Sequence, residues 1–316
     1  VGVISKVTVI TSLITVLIDH NEISEKLVNN LNENKKKSRL VVTLTTVIIV
    51  VAVLVNGFNI YGNGVNKNIK TIAHRGYVAK GVENSIEALE GAAEVGADYV
   101  EFDIILTKDN KFVVMHDYNL KRLAGLNKRV QDMNFDEVVG LTINQGDYTS
   151  KIPSLEKFVT KAKELNMNLV IELKPHGAEP SNYIDILIDE VKRLKLENYK
   201  FMSLDSKVIN ELEEKAPDLE TGYVIPLQFG NFSNTKVDFF VIEDFSYRDR
   251  LVEQARKENK QVFVWTINDS ALITRYLQSP ADGIITDEPE LVKDEKDILE
   301  NNYSYFDKIL RLIDIE

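Results

Sequence analysis

Glu101, Asp103 and Glu172 are carboxylates in or at the ends of β-branched runs, and His74 and His116 close two more such runs. Three carboxylates suit a hard divalent cation that prefers oxygen ligands, Ca²⁺ or Mg²⁺. A pair of imidazoles can serve as general acid and general base near neutral pH. Arg75 and Lys174 are cations in a predominantly acidic stretch, as needed to hold an anionic phosphoryl group beside a metal. The reaction class that asks for this set is metal-assisted phosphodiester cleavage. Each residue alone has a plainer reading, since strand-end charges are often solvated loop residues and a lone histidine is often structural. The weight lies in the concentration: His74-Arg75-Gly76, Glu101, Asp103, His116-Asp117, Glu172, Lys174, Asp205, Trp265 and Asp287 all fall at expected strand ends. His176, close behind Lys174-Pro175, reads as a loop residue with a secondary role open.

The elements that must position these groups follow from the hydrophobic pattern. Short β-branched runs read as strands at Thr71–Ala73, Tyr99–Leu106, Phe112–Met115, Leu169–Leu173, Lys200–Ser203, Gly222–Ile225, Phe239–Ile242, Val262–Thr266 and Gly283–Thr286. Amphipathic segments between them read as helices at Ser85–Glu94, Ser154–Asn166, Asn182–Leu194, Lys207–Lys215, Arg248–Asn259 and Ser270–Leu277. Strand–helix alternation over about 220–250 residues predicts a (β/α)8 barrel, whose chemistry collects at the C-terminal ends of its strands. A doubly wound open sheet competes, but no glycine-rich nucleotide fingerprint follows an early strand. Nine strands exceed eight by one. TKDNK is too short for a parallel crossover, so Tyr99–Leu106 and Phe112–Met115 should form an antiparallel hairpin. A turn centred between Asp109 and Asn110 would set Asp103 opposite His116, and period-two alternation puts Glu101 and Asp103 on one face.

These residues carry a family resemblance. Ile72 to Asp117 reads IAHRGY…ENSIEAL…GADYVEFDIILTKDNKFVVMHD and resembles the glycerophosphodiester phosphodiesterases. ELKP at 172–175, MSLD at 202–205, VWTIN at 264–268 and GIITDEP at 283–289 fit the same family in the same order. HRG alone would be weak; several spaced motifs in order, over roughly residues 70–290, are specific. The resemblance implies a TIM barrel with a small insertion, placed at about 117–153, where barrel periodicity fails. It implies His74 and His116 as the acid/base pair, Glu101, Asp103 and Glu172 as metal ligands, and Arg75 and Lys174 on the phosphate. Glu83 and Asn84 would support the site from the first βα loop. It also implies attack on phosphorus by the adjacent glycerol hydroxyl, a cyclic phosphate opened by water, and release of glycerol 3-phosphate and an alcohol. Trp265, the single tryptophan, is either an apolar wall against substrate or barrel packing. Asp205 and Asp287 are expected to position loops or partner cations. Ser85, where the family often has Thr, keeps the helix-capping hydroxyl.

The N-terminal part differs from the rest. Residues 1–66 carry six basic and four acidic side chains, and the remaining 250 carry a net −13 of the chain's −11. Leu40 to Asn66 has no charge, and Leu40–Tyr61 is long enough for a transmembrane helix; a buried core helix or a strand pair is the alternative. KKKSR at 35–39 precedes this run and only Lys67 and Lys70 follow closely, which by positive-inside bias places the barrel outside the membrane. Val7–Ile18, within a possible partial span over about 1–18, would join it through a cytoplasmic loop at 19–39, leaving 67–316 as the barrel domain. The apolar spacing of Ile298, Tyr305, Ile309, Leu312 and Ile313 fits a terminal helix packed on that barrel or lying on the membrane, with packing the favoured reading. The absence of cysteine excludes disulfides, thiolate metal sites and cysteine nucleophiles, and the acidic balance argues against a nucleic-acid partner. The expected function is metal-dependent glycerophosphodiester hydrolysis at the outer membrane face. A phospholipase-D-like headgroup enzyme on the same scaffold and a non-catalytic phosphodiester-binding membrane protein are the alternatives.

Overall fold

The computed structural model describes residues 45–47 and 66–300. The chain divides into two units, Val1–Gly64 and Val65–Glu316, and the second carries the barrel. Residues 45–47 are helical; the rest of the expected span at 40–61, the segment 1–18 and the loop 19–39 lie outside the described residues. Among the described residues no helix is long and apolar enough to cross a membrane.

Eleven strands are described: β1 (Lys70–Ala73), β2 (Tyr99–Leu106), β3 (Phe112–Val114), β4 (Thr142–Gln145), β5 (Tyr148–Lys151), β6 (Asn168–Leu173), β7 (Tyr199–Ser203), β8 (Thr221–Ile225), β9 (Phe239–Glu243), β10 (Gln261–Trp265) and β11 (Gly283–Thr286). Eight of them, β1, β2 and β6 to β11, pair in parallel in that order and close through β1 and β11. This is a TIM barrel. The ninth strand of its sheet is β3, antiparallel to β2. β2 is eight residues long and shares its edge: Tyr99 and Val100 pair with β1, while Ile104 to Leu106 pair with β3.

Helices cover the barrel where the sequence provides an apolar stripe behind a cap. α1 (Ile86–Glu94) starts where the Ser85 hydroxyl accepts the Ala88 amide, and it buries Ala88, Leu89 and Ala92. α2 (Lys121–Ala124) and α3 (Phe135–Val138) are single turns in the segment 117–153, together with the β4–β5 hairpin. This segment has its own core, in which Leu120, Val130, Val138, Ile143 and Ile152 pack on Val113 and Met115. α4 (Leu155–Glu164), α5 (Tyr183–Leu194), α6 (Ser206–Lys215), α7 (Asp249–Lys257) and α8 (Ser270–Leu277) follow, and α9 (Pro289–Glu300) buries Val292 against the barrel. The remaining tail positions, Tyr305 to Ile313, lie outside the described residues.

One expectation needs correction. The hairpin pairs Ile104 with Val114 and Leu106 with Phe112, so Met115, not His116, stands opposite Asp103, and the Met115 amide donates to the Asp103 carbonyl. The turn explains the one-residue shift. Asn110 donates back to Thr107 and takes φ 59°, closing a three-residue loop of a type I turn followed by a left-handed residue. Three loop residues, rather than an even number, move the centre onto Asp109.

Alternation along the strands separates two faces. Ile72, Val170, Met202, Val224, Phe239, Val241, Phe263 and Ile285 fill the barrel interior. Gly222 on β8 pairs with Phe239 on β9, and a Cβ there would overlap the Phe239 ring, itself fully buried and tilted against Phe263. Gly222→Ala is therefore expected to destabilise the fold by about 1–3 kcal/mol through overpacking, measured by urea unfolding. An unchanged midpoint would mean that the ring moves without cost.

Candidate functional site

The interior layer predicts the mouth by arithmetic of two. Side chains two residues beyond an inward-facing residue face inward again. From Ile72 this gives His74, from Val170 Glu172, from Phe263 Trp265 and from Ile285 Asp287. Glu101 and Asp103 add the contribution of β2. Because the strands are parallel, these groups gather at one end of the barrel.

Three buried carboxylates form the centre. Glu101, Asp103 and Glu172 are 0%, 1% and 8% exposed, and a ligating oxygen of each lies within 4.8 Å of the other two. Glu172 pairs directly with Asp103 across β6 and β2. Glu101 Oε1, Asp103 Oδ1 and Glu172 Oε1 are buried without a hydrogen-bond partner among the described residues. Unsatisfied buried carboxylate oxygens are costly, and three that converge suit a divalent cation with hard oxygen ligands. The donor set thus fits the metal. Burial, then Asp103 and Glu172, pushes Glu101 well above the usual carboxylate range. Burial and Asp103 likewise push Glu172 up to about 7. Burial alone would raise Asp103 too, but Lys174 and Arg75, with His116 and the Asn84 amide, hold it below the usual range.

The cations flank this cluster. The Lys174 ammonium lies 3.6 Å from Asp103 Oδ1 and 3.7 Å from Glu172 Oε1. Arg75 takes φ 57°, donates its amide to Glu101 Oε2 at 2.9 Å and turns its Nε to within 3.5 Å of Asp103. Its Nη1 donates to Glu83 at 3.0 Å. Asn84, also left-handed at φ 60°, grips Asp103 twice: its Nδ2 donates to Oδ2 at 2.8 Å and its Oδ1 accepts the Asp103 amide at 3.1 Å. The first βα loop therefore orients one carboxylate and one guanidinium together.

Each histidine is held at Nδ1 by an acid. His74 Nδ1 is 2.7 Å from Asp287 Oδ1, and the Asp287 carboxylate is braced by the Asn268 amide at 2.6 Å. His116 Nδ1 is 2.8 Å from Asp117 Oδ1. A carboxylate on Nδ1–H leaves Nε2 to exchange protons. Burial lowers His116 despite the pull of Asp103. The structure thus gathers two acid-oriented imidazoles, three carboxylates and two cations at one mouth.

The model of the glycerophosphoryl diester phosphodiesterase family matches residues 74–291, from His74 to beyond Asp287. The chain belongs to this family. It is 28% identical over 228 residues to the glycerophosphodiester phosphodiesterase of Caldanaerobacter subterraneus subsp. tengcongensis, covering 69% of this chain and 94% of that protein. It is 24% identical over 270 residues to the lysophospholipase D GDPD1 of Mus musculus, covering 71% and 84%. Among solved structures, a glycerophosphodiester phosphodiesterase from Parabacteroides distasonis superposes with a TM-score of 0.63 at 28% identity, covering 74% of this chain and 98% of that one. The chain is thus a phosphodiesterase of this family.

Other residues singled out in the sequence take varied places. Asp205 caps α6, accepting the Lys207 and Val208 amides. His176 sits in a loop, its Nδ1 accepting the Ala178 amide. Trp265 packs partly against the barrel interior with Nε1 buried and unpartnered among the described residues. Sequence reasoning missed Arg122 on α2 and Gln145 on β4, both of which hold Glu83. They lie in the segment without barrel periodicity, where only long-range side-chain contacts show what they do.

Proposed function

We propose that the chain hydrolyses glycerophosphodiesters to glycerol 3-phosphate and an alcohol by metal-dependent, paired-histidine chemistry. The observation that carries this reading is the convergence of three buried carboxylate oxygens, none with a hydrogen-bond partner among the described residues, between Arg75, Lys174 and two acid-oriented histidines. Glu101, Asp103 and Glu172 would hold a divalent cation, Ca²⁺ or Mg²⁺, which when bound supplies Lewis-acid polarisation of a phosphoryl oxygen. Arg75 and Lys174 hold the remaining phosphoryl charge, and Glu83 and Asn84 fix the loop that carries Arg75. One imidazole takes the proton of the adjacent glycerol hydroxyl as its oxygen attacks phosphorus. The other gives its proton to the leaving alkoxide. A cyclic phosphate results, and water opens it with the two proton transfers reversed. Trp265 walls the mouth on the β10 side.

The test is an assay of the full chain on glycerophosphocholine, glycerophosphoethanolamine and glycerophosphoglycerol with Ca²⁺ or Mg²⁺, measuring released glycerol 3-phosphate. Product from at least one diester is expected. The family also reaches lipid headgroups, as the mouse lysophospholipase D illustrates, so lysophosphatidylcholine belongs in the panel. Choline release from that lipid alone, with no glycerol 3-phosphate from any soluble diester, would replace the present reading.

The sequence also supports a placement. With 40–61 as a transmembrane helix and the basic cluster at 35–39 on the cytoplasmic side, residues 67–316 would work on the outer face. Protease added to intact cells is expected to remove the barrel; protection until lysis would reverse this topology.

A further inference from the structure

Arg122 lies at the rim of the mouth, yet every nitrogen of its guanidinium is committed. Nε donates to Asp117 Oδ2 at 2.6 Å, Nη1 to Glu83 Oε2 at 2.8 Å and Nη2 to Glu83 Oε1 at 2.6 Å. Both acceptors are themselves partners of groups at the phosphoryl site. The other oxygen of Asp117 holds His116 Nδ1, and Glu83 Oε1 also accepts from Arg75 Nη1. We propose that Arg122 is a positioning residue, locking His116 and Arg75 into one relative geometry through Asp117 and Glu83. This rests on the roles given to His116 and Arg75 above.

The barrel ladder cannot do this itself. Arg75 follows β1 and His116 follows β3; each strand pairs with a different half of β2, and no pairing joins them to one another. Their side chains leave separate strand ends. Asp103 touches both ends, at the Arg75 Nε and the Met115 amide, whereas the fork of Arg122 joins the carboxylates that hold the two side chains themselves. Glu83 is 5% exposed, so its carboxylate is a fixed anchor. Gln145 completes it, donating to Oε2 at 3.1 Å while accepting the Glu83 amide at 2.8 Å. Burial would raise the Glu83 carboxyl, but Arg122 and Arg75 hold it below its usual range, so it stays an acceptor. A planar guanidinium can satisfy one carboxylate bidentately and reach a second in the same plane; an ammonium is a point charge without that fork.

The experiment compares full-length wild type, R122A, R122K and H116A on glycerophosphocholine with Ca²⁺ or Mg²⁺. Metal affinity and thermal unfolding are measured alongside. Misplacing reacting groups by about 1 Å can cost about 10²-fold, so R122A is expected to lose about 100-fold in kcat with metal affinity unchanged. R122K is expected to remain at least about tenfold below wild type, because the fork is absent. Millimolar guanidinium, but not ammonium, should restore part of the R122A rate and none of the H116A rate. Wild-type turnover by R122K or R122A, or a loss in R122A that guanidinium leaves untouched, overturns the proposal. Should R122A fail to fold, R122K decides alone. An active H116A would overturn the reading of the site itself, whereas an inactive H116A beside a normal R122K would overturn the inference about Arg122 only.

Discussion

His74→Ala and His116→Ala are each expected to lower kcat by about 10²–10⁴-fold, the range that general acid or base catalysis supplies. Each should leave the circular dichroism and the metal affinity of the wild type. The expectation comes from geometry: both rings present Nε2 to the mouth because Asp287 and Asp117 occupy Nδ1. A structural histidine in the same place would produce the opposite pattern, with lost stability and proportionate loss of activity. Burial lowers His116, though Asp103 pulls it up, so its ring stays neutral further into acid than a free imidazole. If His116 is the base, the acid limb of kcat/KM falls below the ordinary imidazole range. Full activity in either variant refutes the acid/base assignment.

The barrel was legible in the sequence because its strands are short, β-branched and evenly spaced, and local patterns of that kind need no tertiary information. Tyr99–Leu106 and Gly283–Thr286 match their predicted limits. The central groups were legible for a related reason: alternation along a parallel strand fixes which residues reach the mouth, so His74 and Glu172 could be placed from Ile72 and Val170. What escaped depends on turn detail or on distant contacts. The hairpin register turned on Asn110 adopting a left-handed conformation, a single-residue choice that periodicity does not encode. The β4–β5 hairpin alternates buried Ile143 and Ser150 with exposed neighbours, but its strands are only four residues long and rich in Asn, Gln, Thr and Ser, which blurs the pattern. Arg122 and Gln145 do their work by touching Glu83 at separations of 39 and 62 residues. Reasoning from spacing has no access to contacts of that kind.

Removing the cation by chelation is expected to stop turnover, with Ca²⁺ or Mg²⁺ restoring it, and the clearest signature lies in stability rather than rate. In the metal-free protein the Glu172 carboxyl is pushed up to about 7 by burial and Asp103. A carboxyl raised on folding binds its proton more tightly in the folded state, so its stabilising contribution is complete below the unfolded value near 4.5 and lost as pH rises towards about 7. Over the same window protons stop competing with the metal. The rise in Tm on adding Ca²⁺ or Mg²⁺ should therefore grow from pH 5 to pH 8, and the stabilisation behind it is about 2.7 kcal/mol where the cation stands at a hundredfold excess over Kd. Glu172→Gln mimics the protonated acid. It is expected to stabilise the chelated protein at pH 8, to remove most of the metal-induced rise, and to lower kcat by at least about 10²-fold through the loss of one ligand. Undiminished hydrolysis in excess chelator, or a Tm rise that is flat from pH 5 to pH 8, would take the metal away from these three carboxylates.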